Sequence, residues 1–310
     1  MSRAFLIALS ICLPSLLSAS DGKPRKHHSQ TMPFTKGKPQ ISVNDYRFVA
    51  INVPTEGAFQ PLDVNNQEVV SGISFEPNGD LKTWIWKAGT ATQWVKPGAA
   101  LSLLSNVTDN GRQYGNWGTF TEQHAGYYDP AKKTWVQFPD IPGRPVNILQ
   151  RATENGSAVG NACAGTVLAV SDCVTWSWDG KRYTVRAYPG AEATDATSIN
   201  NSGDETGQAV IGGLPFAYVR DNKKGYSPLT IPDAIFSFGR DINDRGEVLV
   251  QAHYDFVSFP ALLVCRKADC SILPNHPSGN FAIYFGMNDR GDLVGGYNAP
   301  APTPFIAIKK

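Results

Sequence analysis

Residues 285–296, FGMNDRGDLVGG, recur along the chain and decide the fold. The stretch combines an apolar residue, a polar turn with Asn, Asp and Gly, a short β-rich run, and a glycine four residues past the turn. Five further copies are LDVNNQEVVSG from Leu62, NVTDNGRQYG from Asn106, RATENGSAVG from Arg151, SINNSGDETG from Ser198 and RDINDRGEVLV from Arg240. The turn glycine, or the residue in its place, falls at Glu68, Gly111, Gly156, Gly203, Gly246 and Gly291. A period in the forties with strand-like segments is typical of propeller blades.

Each repeat contains four strand-like segments bounded by Gly, Asn, Asp or Pro. In the fourth repeat they are residues 194–199, 205–211, 216–220 and 226–231, each rich in β-branched or aromatic residues. Proline occurs in every connection from one repeat to the next, where a chain leaves an edge strand and needs no ladder donor. The glycine past the turn predicts a close backbone approach, and Val250 replaces it in the fifth copy.

The two ends of the chain complement each other in strand count. The last copy supplies three strands, residues 281–287, 292–297 and 305–309, and lacks a fourth. Residues 46–53 form a strand-like segment ahead of the first repeat, and pairing it with the last repeat removes two exposed edges. We therefore predict an all-β six-bladed β-propeller over residues 46–310, with four antiparallel strands per blade and the last blade closed by the N-terminal strand.

The repeats resemble those of the HAF-repeat extracellular proteins. Residues 199–207 and 287–295 match that motif best, and TWIW at Thr83 and TWSW at Thr175 are similar to its aromatic strand. The blade pattern is also similar to WD-repeat propellers. The HAF resemblance implies an exported repeat protein and no assigned chemistry.

The first 45 residues have the composition of export and leader segments. Residues 1–20 combine one cation, an apolar run and small residues, which predicts a cleavable signal peptide. Residues 21–45 are rich in cations, Pro and Gly, which predicts a disordered basic leader. The formal net charge of the chain is only +1, which argues against a nucleic-acid partner. We expect a secreted or periplasmic monomer without a membrane span.

Four cysteines remain once Cys12 leaves with the signal peptide. An even number in an exported chain favours disulfides, and local pairing joins Cys163 to Cys173 and Cys265 to Cys270. Four reduced, buried thiols are the alternative. A zinc site fits less well, because the spacing lacks tight pairs with matching histidines.

Two features of the repeats have both structural and functional interpretations. The polar turns resemble calcium loops, but Arg245 and Arg290 occupy the position of a third oxygen ligand, which favours plain hairpins and no metal. Four tryptophans alternate along two strands and predict either packing between blades or a surface for stacking sugars. They are Trp84, Trp86, Trp176 and Trp178, with Trp117 and Trp135 as weaker candidates.

The sequence has no concentrated catalytic motif, so we assign no catalytic residue and no cofactor. Loops at one end of a propeller surround its channel and commonly hold ligands. The candidates there are Glu122, His124, Asp140, Arg144, Glu192, Asp233, His253, Tyr254, Asp255 and His276. We expect a binding or scaffold module for a glycan, peptide or protein ligand. The alternative is a hydrolase or lyase that acts on a polysaccharide or small metabolite through carboxylate and histidine residues at the channel mouth.

Overall fold

The computed structural model describes residues 39–167, 169–267, 269–298 and 302–310. The predicted signal peptide and residues 21–38 of the predicted leader lie outside the described residues. Residues 39–45 lie inside, and they are ordered: the amide of Ile41 donates to the carbonyl oxygen of Ile272 at 2.9 Å, and Val43–Asp45 forms a 3-10 turn.

The described residues form 24 strands in antiparallel sheets that follow chain order. The first sheet contains β2 (Ala58–Val64), β3 (Val70–Phe75), β4 (Leu81–Lys87) and β5 (Thr90–Trp94). The second and third repeats supply β6 (Leu101–Val107), β7 (Gln113–Gly118), β8 (Gln123–Asp129), β9 (Thr134–Gln137), β10 (Val146–Ala152), β11 (Ala158–Thr166), β12 (Ala169–Trp178) and β13 (Tyr183–Arg186). The fourth repeat supplies β14 (Ala193–Ile199), β15 (Glu205–Ile211), β16 (Leu214–Asp221) and β17 (Gly225–Pro228).

The remaining strands build two further sheets. The fifth repeat supplies β18 (Phe236–Ile242), β19 (Val248–His253), β20 (Ala261–Arg266) and β21 (Asp269–Ile272). The last sheet combines β1 (Tyr46–Ala50) with β22 (Ala282–Met287), β23 (Leu293–Asn298) and β24 (Pro302–Lys309). This arrangement of sheets is an all-β propeller.

The prediction of six separate four-stranded blades was wrong in its count. Four separate sheets of four strands are present among the described residues, whereas β6–β13 form one eight-stranded sheet. The join is a single parallel bridge between Val146 and Gln123. The bridge forms because the backbone amide of Gln123, a buried residue, donates to the carbonyl oxygen of Pro145 at 2.9 Å, and Pro145 directly precedes β10.

Strand β1 pairs antiparallel with β24, in a register that runs from Tyr46 opposite Lys309 to Ala50 opposite Phe305. The N-terminal strand thus completes the sheet of the last repeat, as the strand count predicts. This pairing gives β24 a partner on its outer side and removes an unpaired edge.

Each repeat contains one close approach between its first two strands. There a glycine of the second strand faces a larger residue of the first, as in Gly160 opposite Leu149. A Cβ on Gly160 would overlap the carbonyl oxygen of Ile148, so the predicted close approach is confirmed. The fifth repeat exchanges the two roles, because Val250 faces Gly239, and this exchange explains the missing glycine.

The paired tryptophans lie in the core. Trp84 and Trp86 pack with Val294 and Ile306 of the last sheet, and Trp176 is fully buried. Trp178 stacks on Phe138 with ring centroids 5.2 Å apart. Packing between neighbouring repeats is therefore confirmed for these side chains, and their burial leaves no open face for a sugar.

Both predicted disulfides are present. Cys163 bonds to Cys173, and Cys265 bonds to Cys270. The second pair faces across β20 and β21, and the first joins β11 to β12. Local pairing is confirmed.

Candidate functional site

The six recurring turns meet at one end of the ring, which we call the turn face. Each turn has a residue with positive φ at the predicted position, from 59° at Glu68 to 88° at Gly156. The asparagine ahead of it usually closes the turn: Oδ1 of Asn200 accepts from the amides of Ser202 and Asp204, both at 3.0 Å. The repeated stretch is thus a hairpin turn, as predicted.

A closed circuit of hydrogen bonds links the six turns. One backbone amide in each turn donates to the side chain at the same position of the next turn, as when Asn201 donates to Asp244 at 2.7 Å. The members in order are Asn66, Asp109, Glu154, Asn201, Asp244 and Asp289, and Asp289 donates back to Asn66. We call these six residues the turn ring. Four of the six are carboxylates, so this mouth of the channel is acidic.

The arginines of the turns form ion pairs with neighbouring carboxylates. Nη2 of Arg290 lies 2.6 Å from Asp292 and 3.0 Å from Glu68, and Nη2 of Arg245 lies 2.5 Å from Glu247. Among residues 39–310 that the structure describes, no group of three His, Cys, Asp or Glu side chains is arranged to hold a metal.

A cavity of about 60 Å³ lies inside the turn ring. It is lined by residues of all six repeats, and Arg151 and Asp63 are among them. A volume of this size suits a few water molecules and is far below that of a typical small-molecule pocket.

Arg151 reaches across the ring to two other sheets. Its Nη1 forms an ion pair with Asp63 and lies 3.5 Å from Oδ2 of Asp241. The two carboxylates are almost fully buried, and Asp241 also accepts from Ser198 at 2.6 Å and from the amide of Met287 at 2.7 Å. One guanidinium thus joins three alternate repeats at the centre of the molecule.

The central ion pairs contain two carboxylates and one cation. Burial, opposed by Arg151 and reinforced by the charge of Asp241, raises the pKa of Asp63 to about 7. The same two carboxylates raise the pKa of Arg151 against the effect of burial. Burial is the largest cause of the raised pKa of Asp63 and the like charge of Asp241 adds to it, so the folded protein favours the protonated carboxyl more than the unfolded chain does.

The predicted ligand residues lie at the opposite end, which carries the loops from second to third strands and the connections between repeats. We call this end the loop face. Nδ1 of His124 lies 2.9 Å from Oδ2 of Asp140, and Nε2 of His124 lies 4.0 Å from Oε1 of Glu122. The structure therefore brings three of the predicted residues together.

Two further predicted residues are held within or between neighbouring loops. Nη1 of Arg144 lies 3.1 Å from Asp172. Oε1 of Glu192 accepts from the amide of Gly213 at 3.3 Å. Among the described residues, neither of the two forms a hydrogen bond or ion pair with His124, Asp140 or Glu122, which we call the His124 cluster. Arg144 and Glu192 each stabilise the conformation of the loops that they contact.

The predicted residues of the fifth repeat are partly structural. His253 stacks on Phe236 with centroids 4.3 Å apart, and burial lowers its pKa to about 4, so the ring is neutral. Asp255 accepts from the amides of Val257 and Ser258 and shapes the loop. Tyr254 is buried, with its pKa raised by burial.

The last two predicted residues lie in connections between repeats. Asp233 is exposed with φ of 64°, a turn conformation. His276 stacks on Tyr297 with centroids 3.9 Å apart, and its Nδ1 lies 2.8 Å from Oγ of Ser278. Burial lowers the pKa of His276. Its ring is therefore packed as an aromatic side chain.

Sequence reasoning missed the central charges. Asp63, Arg151 and Asp241 occupy one position in the repeat, directly before the apolar residue that precedes the turn. A comparison of the six copies at that position shows opposite charges in alternate repeats, which is a usable signal. The polar turns drew attention instead, because they recur more regularly.

Exposed apolar side chains are concentrated at the loop face. Among the described residues, eight of the ten exposed large apolar side chains lie there, and the other two, Val136 and Val185, lie on fourth strands. The eight are Val95, Phe120, Ile211, Leu214, Ile235, Phe256, Val257 and Phe259. Phe256 is 72% exposed and Val257 is 94% exposed. Three of the eight, Phe256, Val257 and Phe259, lie together in the loop between β19 and β20, and exposed apolar groups of this kind mark interaction surfaces.

No protein-family model matches the chain, and no curated protein matches it. Among solved structures, it is similar to a gluconolactonase from Xanthomonas campestris, with 12% identity, a TM-score of 0.56, and 88% of this chain and 95% of the other covered. It is also similar to TolB from Acinetobacter baumannii, with 12% identity, a TM-score of 0.50 and 83% of this chain covered. This chain spans only 65% of that TolB structure. Likeness at such identity shows the propeller fold alone.

In the part of the chain that the structure describes, no helix has the length and apolar content needed to cross a membrane.

Proposed function

We propose that this chain is an exported propeller that binds a glycan, peptide or protein partner through its loop face, as a binding or scaffold module. The observation that carries the proposal is the concentration of exposed apolar side chains there, with Phe256 and Val257 the most exposed. Leaving such side chains in water is unfavourable, and a partner that covers them gains roughly 25 cal/mol per Å² of apolar area. The two disulfides support export, since disulfides persist in oxidising compartments.

The turn face supports the same division of roles. Its recurring polar side chains bond to one another, its arginines are paired, and its cavity of about 60 Å³ is too small for a sugar chain or a peptide. The polar side chains of the turn face therefore bond within the protein and stabilise the fold. We assign recognition of a partner to the loop face.

Binding to glycan and peptide arrays tests the proposal. The double variant F256S/V257S removes the two most exposed side chains, and V185S changes an exposed valine on the outer strand β13 as a matched control. We expect ligands of the wild type to lose at least tenfold in affinity with the double variant and nothing with V185S. Unchanged binding by the double variant would contradict the proposal, as would turnover of a substrate without any binding partner.

A second candidate function rests on the His124 cluster. A histidine between two carboxylates, at 2.9 Å and 4.0 Å, has the geometry of a general acid–base group oriented by an acid. We propose, as the alternative, a hydrolase or lyase for polysaccharides or small metabolites. A panel of polysaccharides and lactones tests it, with H124Q expected to lower any turnover by about 10² to 10⁴. An H124Q enzyme of full activity would remove this candidate.

A further inference from the structure

Arg240 lies in the channel wall and has an unusual set of partners. It occupies the bulged position of β18, between Gly239 and Asp241. Its Nε and Nη2 both donate to Oε1 of Gln251, at 3.0 and 2.6 Å, and its guanidinium carbon lies 5.2 Å from the centroid of the Phe238 ring. Gln251 therefore occupies one edge of the guanidinium.

The opposite edge of the guanidinium, Nη1 with the second hydrogen of Nη2, forms no hydrogen bond or ion pair with a described residue. An arginine fork offers two such edges, and each matches the two oxygens of a carboxylate. The side chain also points back along β18 toward the loop face, because it contacts Phe238 and Gln251, which pair with each other nearer the start of that strand. The guanidinium thus lies on the loop-face side of Asp241, the next residue of β18.

Two other interior arginines of the propeller have counterions. Arg151 pairs with Asp63 and Asp241, and Arg220 pairs with Glu205 at 3.0 Å. Arg240 forms no ion pair with any described carboxylate; the field of Asp195 reaches it from the neighbouring sheet, but the oxygens of Asp195 accept from Asn161 and Gln208, both at 2.5 Å. Burial accordingly lowers the pKa of Arg240 to about 10.

A half-buried cation without a paired carboxylate costs free energy in the folded protein, and an anion that enters the site removes that cost. We propose that Arg240 is the anion subsite of the loop-face binding surface, and that it takes a carboxylate group of the ligand on its open edge. This assignment deepens the proposed function and rests on it. It adds the chemical class of the ligand, which is an acid with an apolar or aromatic body.

The apolar part of that ligand class follows from the path to the surface. Gln251 contacts Nε2 of His253 at 2.9 Å, and His253 stacks on Phe236. Phe236 in turn contacts exposed Phe256, with centroids 5.7 Å apart. Aromatic rings thus extend from the guanidinium to the exposed loop of residues 254–259, so a carboxylate at Arg240 leaves its remainder against aromatic side chains.

Benzoate is a suitable probe, and benzamide is its neutral isostere. We expect calorimetric titration of the wild-type protein to show benzoate binding at least tenfold tighter than benzamide. R240M should abolish this preference, whereas R182M, which changes an exposed arginine of the turn between β12 and β13, should retain it. Equal affinity for benzoate and benzamide, or benzoate binding that survives R240M, would overturn the assignment.

The thermal stability of R240M gives an independent readout. If Arg240 serves to bind an anion and destabilises the fold, R240M should have a Tm equal to or above that of the wild type. If the fold needs Arg240, the Tm of R240M should be lower. A lower Tm with an unchanged preference for benzoate assigns Arg240 to structure and refutes the proposal. R240K keeps the charge and lacks the fork, so weaker benzoate binding by R240K gives the same test if R240M does not fold.

The two proposals fail separately. If F256S/V257S abolishes array binding while R240M leaves it intact and benzoate does not bind, the loop-face function stands and the anion subsite falls. If benzoate binding depends on Arg240 but F256S/V257S changes no array ligand, the subsite stands and the apolar docking surface falls.

Discussion

The backbone amide of Asp289 donates to Oδ1 of Asn66 at 3.0 Å, although 223 residues separate the two. Nδ2 of Asn66 returns a bond to Oδ2 of Asp289 at 2.8 Å. The first and last repeats are therefore joined on the turn face by side chains, in addition to the backbone pairing of β1 with β24. Ring closure depends on both.

Asn66→Ala is expected to lower the free energy of unfolding by about 1–3 kcal/mol. The reason is that Asn66 accepts from Asp289 and also donates to Oδ2 of Asp109 at 2.7 Å, so its loss leaves polar groups on both sides without partners. Urea unfolding followed by tryptophan fluorescence measures the change. Asn78→Ala is the matched control, because Asn78 bonds only within an exposed turn, to Asp80. Equal losses for the two variants would show that the turn ring contributes nothing special.

Arg151→Met should destabilise the protein by about 3–5 kcal/mol, because it leaves the buried carboxylates of Asp63 and Asp241 without their cation. Adding Asp63→Asn to this variant should recover part of the loss at alkaline pH, where Asp63 would otherwise be ionised, since only one buried charge then remains. Urea unfolding of the single and double variants measures the coupling. An Arg151→Met protein of wild-type stability, or no recovery in the double variant, would contradict the role of these ion pairs.

Stability should depend on pH through Asp63. Its pKa is about 7 in the folded protein and about 3.9 in an unfolded chain, so the folded state binds the proton more tightly. The contribution of this group is therefore fully present below about pH 4 and is lost as pH rises through 7. Relative to the wild type, Asp63→Asn should gain stability steadily from pH 4 to pH 8, as measured by urea unfolding at each pH.

Asp221→Asn is the control for that pH series. Asp221 is a surface carboxylate whose pKa is lowered by hydrogen bonds from the amides of Lys223 and Lys224. A lowered pKa contributes a constant stability above the unfolded value of about 3.9 and loses it only as pH falls further, so this variant should run parallel to the wild type from pH 4 to pH 8. If Asp63→Asn and wild type run parallel from pH 4 to pH 8, Asp63 does not titrate in that range.

The parts of the fold that repetition specifies could be predicted from the sequence. The turns and the pairing of β1 with β24 follow from local residue types and strand count, because each repeat carries the same signals at the same spacing. The Arg151 ion pairs could not be derived in this way, since they depend on how far one side chain reaches across the ring. The bridge between Val146 and Gln123 has the same character, because one contact decides whether two sheets count as one.

The candidate site shows the same limit. The loop positions of Glu122, His124 and Asp140 follow from strand order, but their convergence depends on loop conformation. Arg240 escaped notice because an arginine in a bulge is unremarkable in sequence. Arg240 is unusual because Asp195, the carboxylate whose charge acts on it, accepts hydrogen bonds from the side-chain amides of Asn161 and Gln208.

The two glycines at the end of the opening stretch, Gly295 and Gly296, should respond very differently to alanine. A Cβ on Gly295 would overlap the carbonyl oxygen of Ile283, which is backbone and cannot rotate away, whereas a Cβ on Gly296 would meet only the carbonyl oxygen of Thr303 at an ordinary 3.6 Å. Gly295→Ala should therefore cost about 1–3 kcal/mol or more. Gly296→Ala should fall within about 0.5 kcal/mol of wild type, helped by the smaller entropy of its unfolded chain. Urea unfolding of the two variants compares neighbours in one strand, and similar values would mean that close approach of β22 and β23 does not explain the repeated glycine.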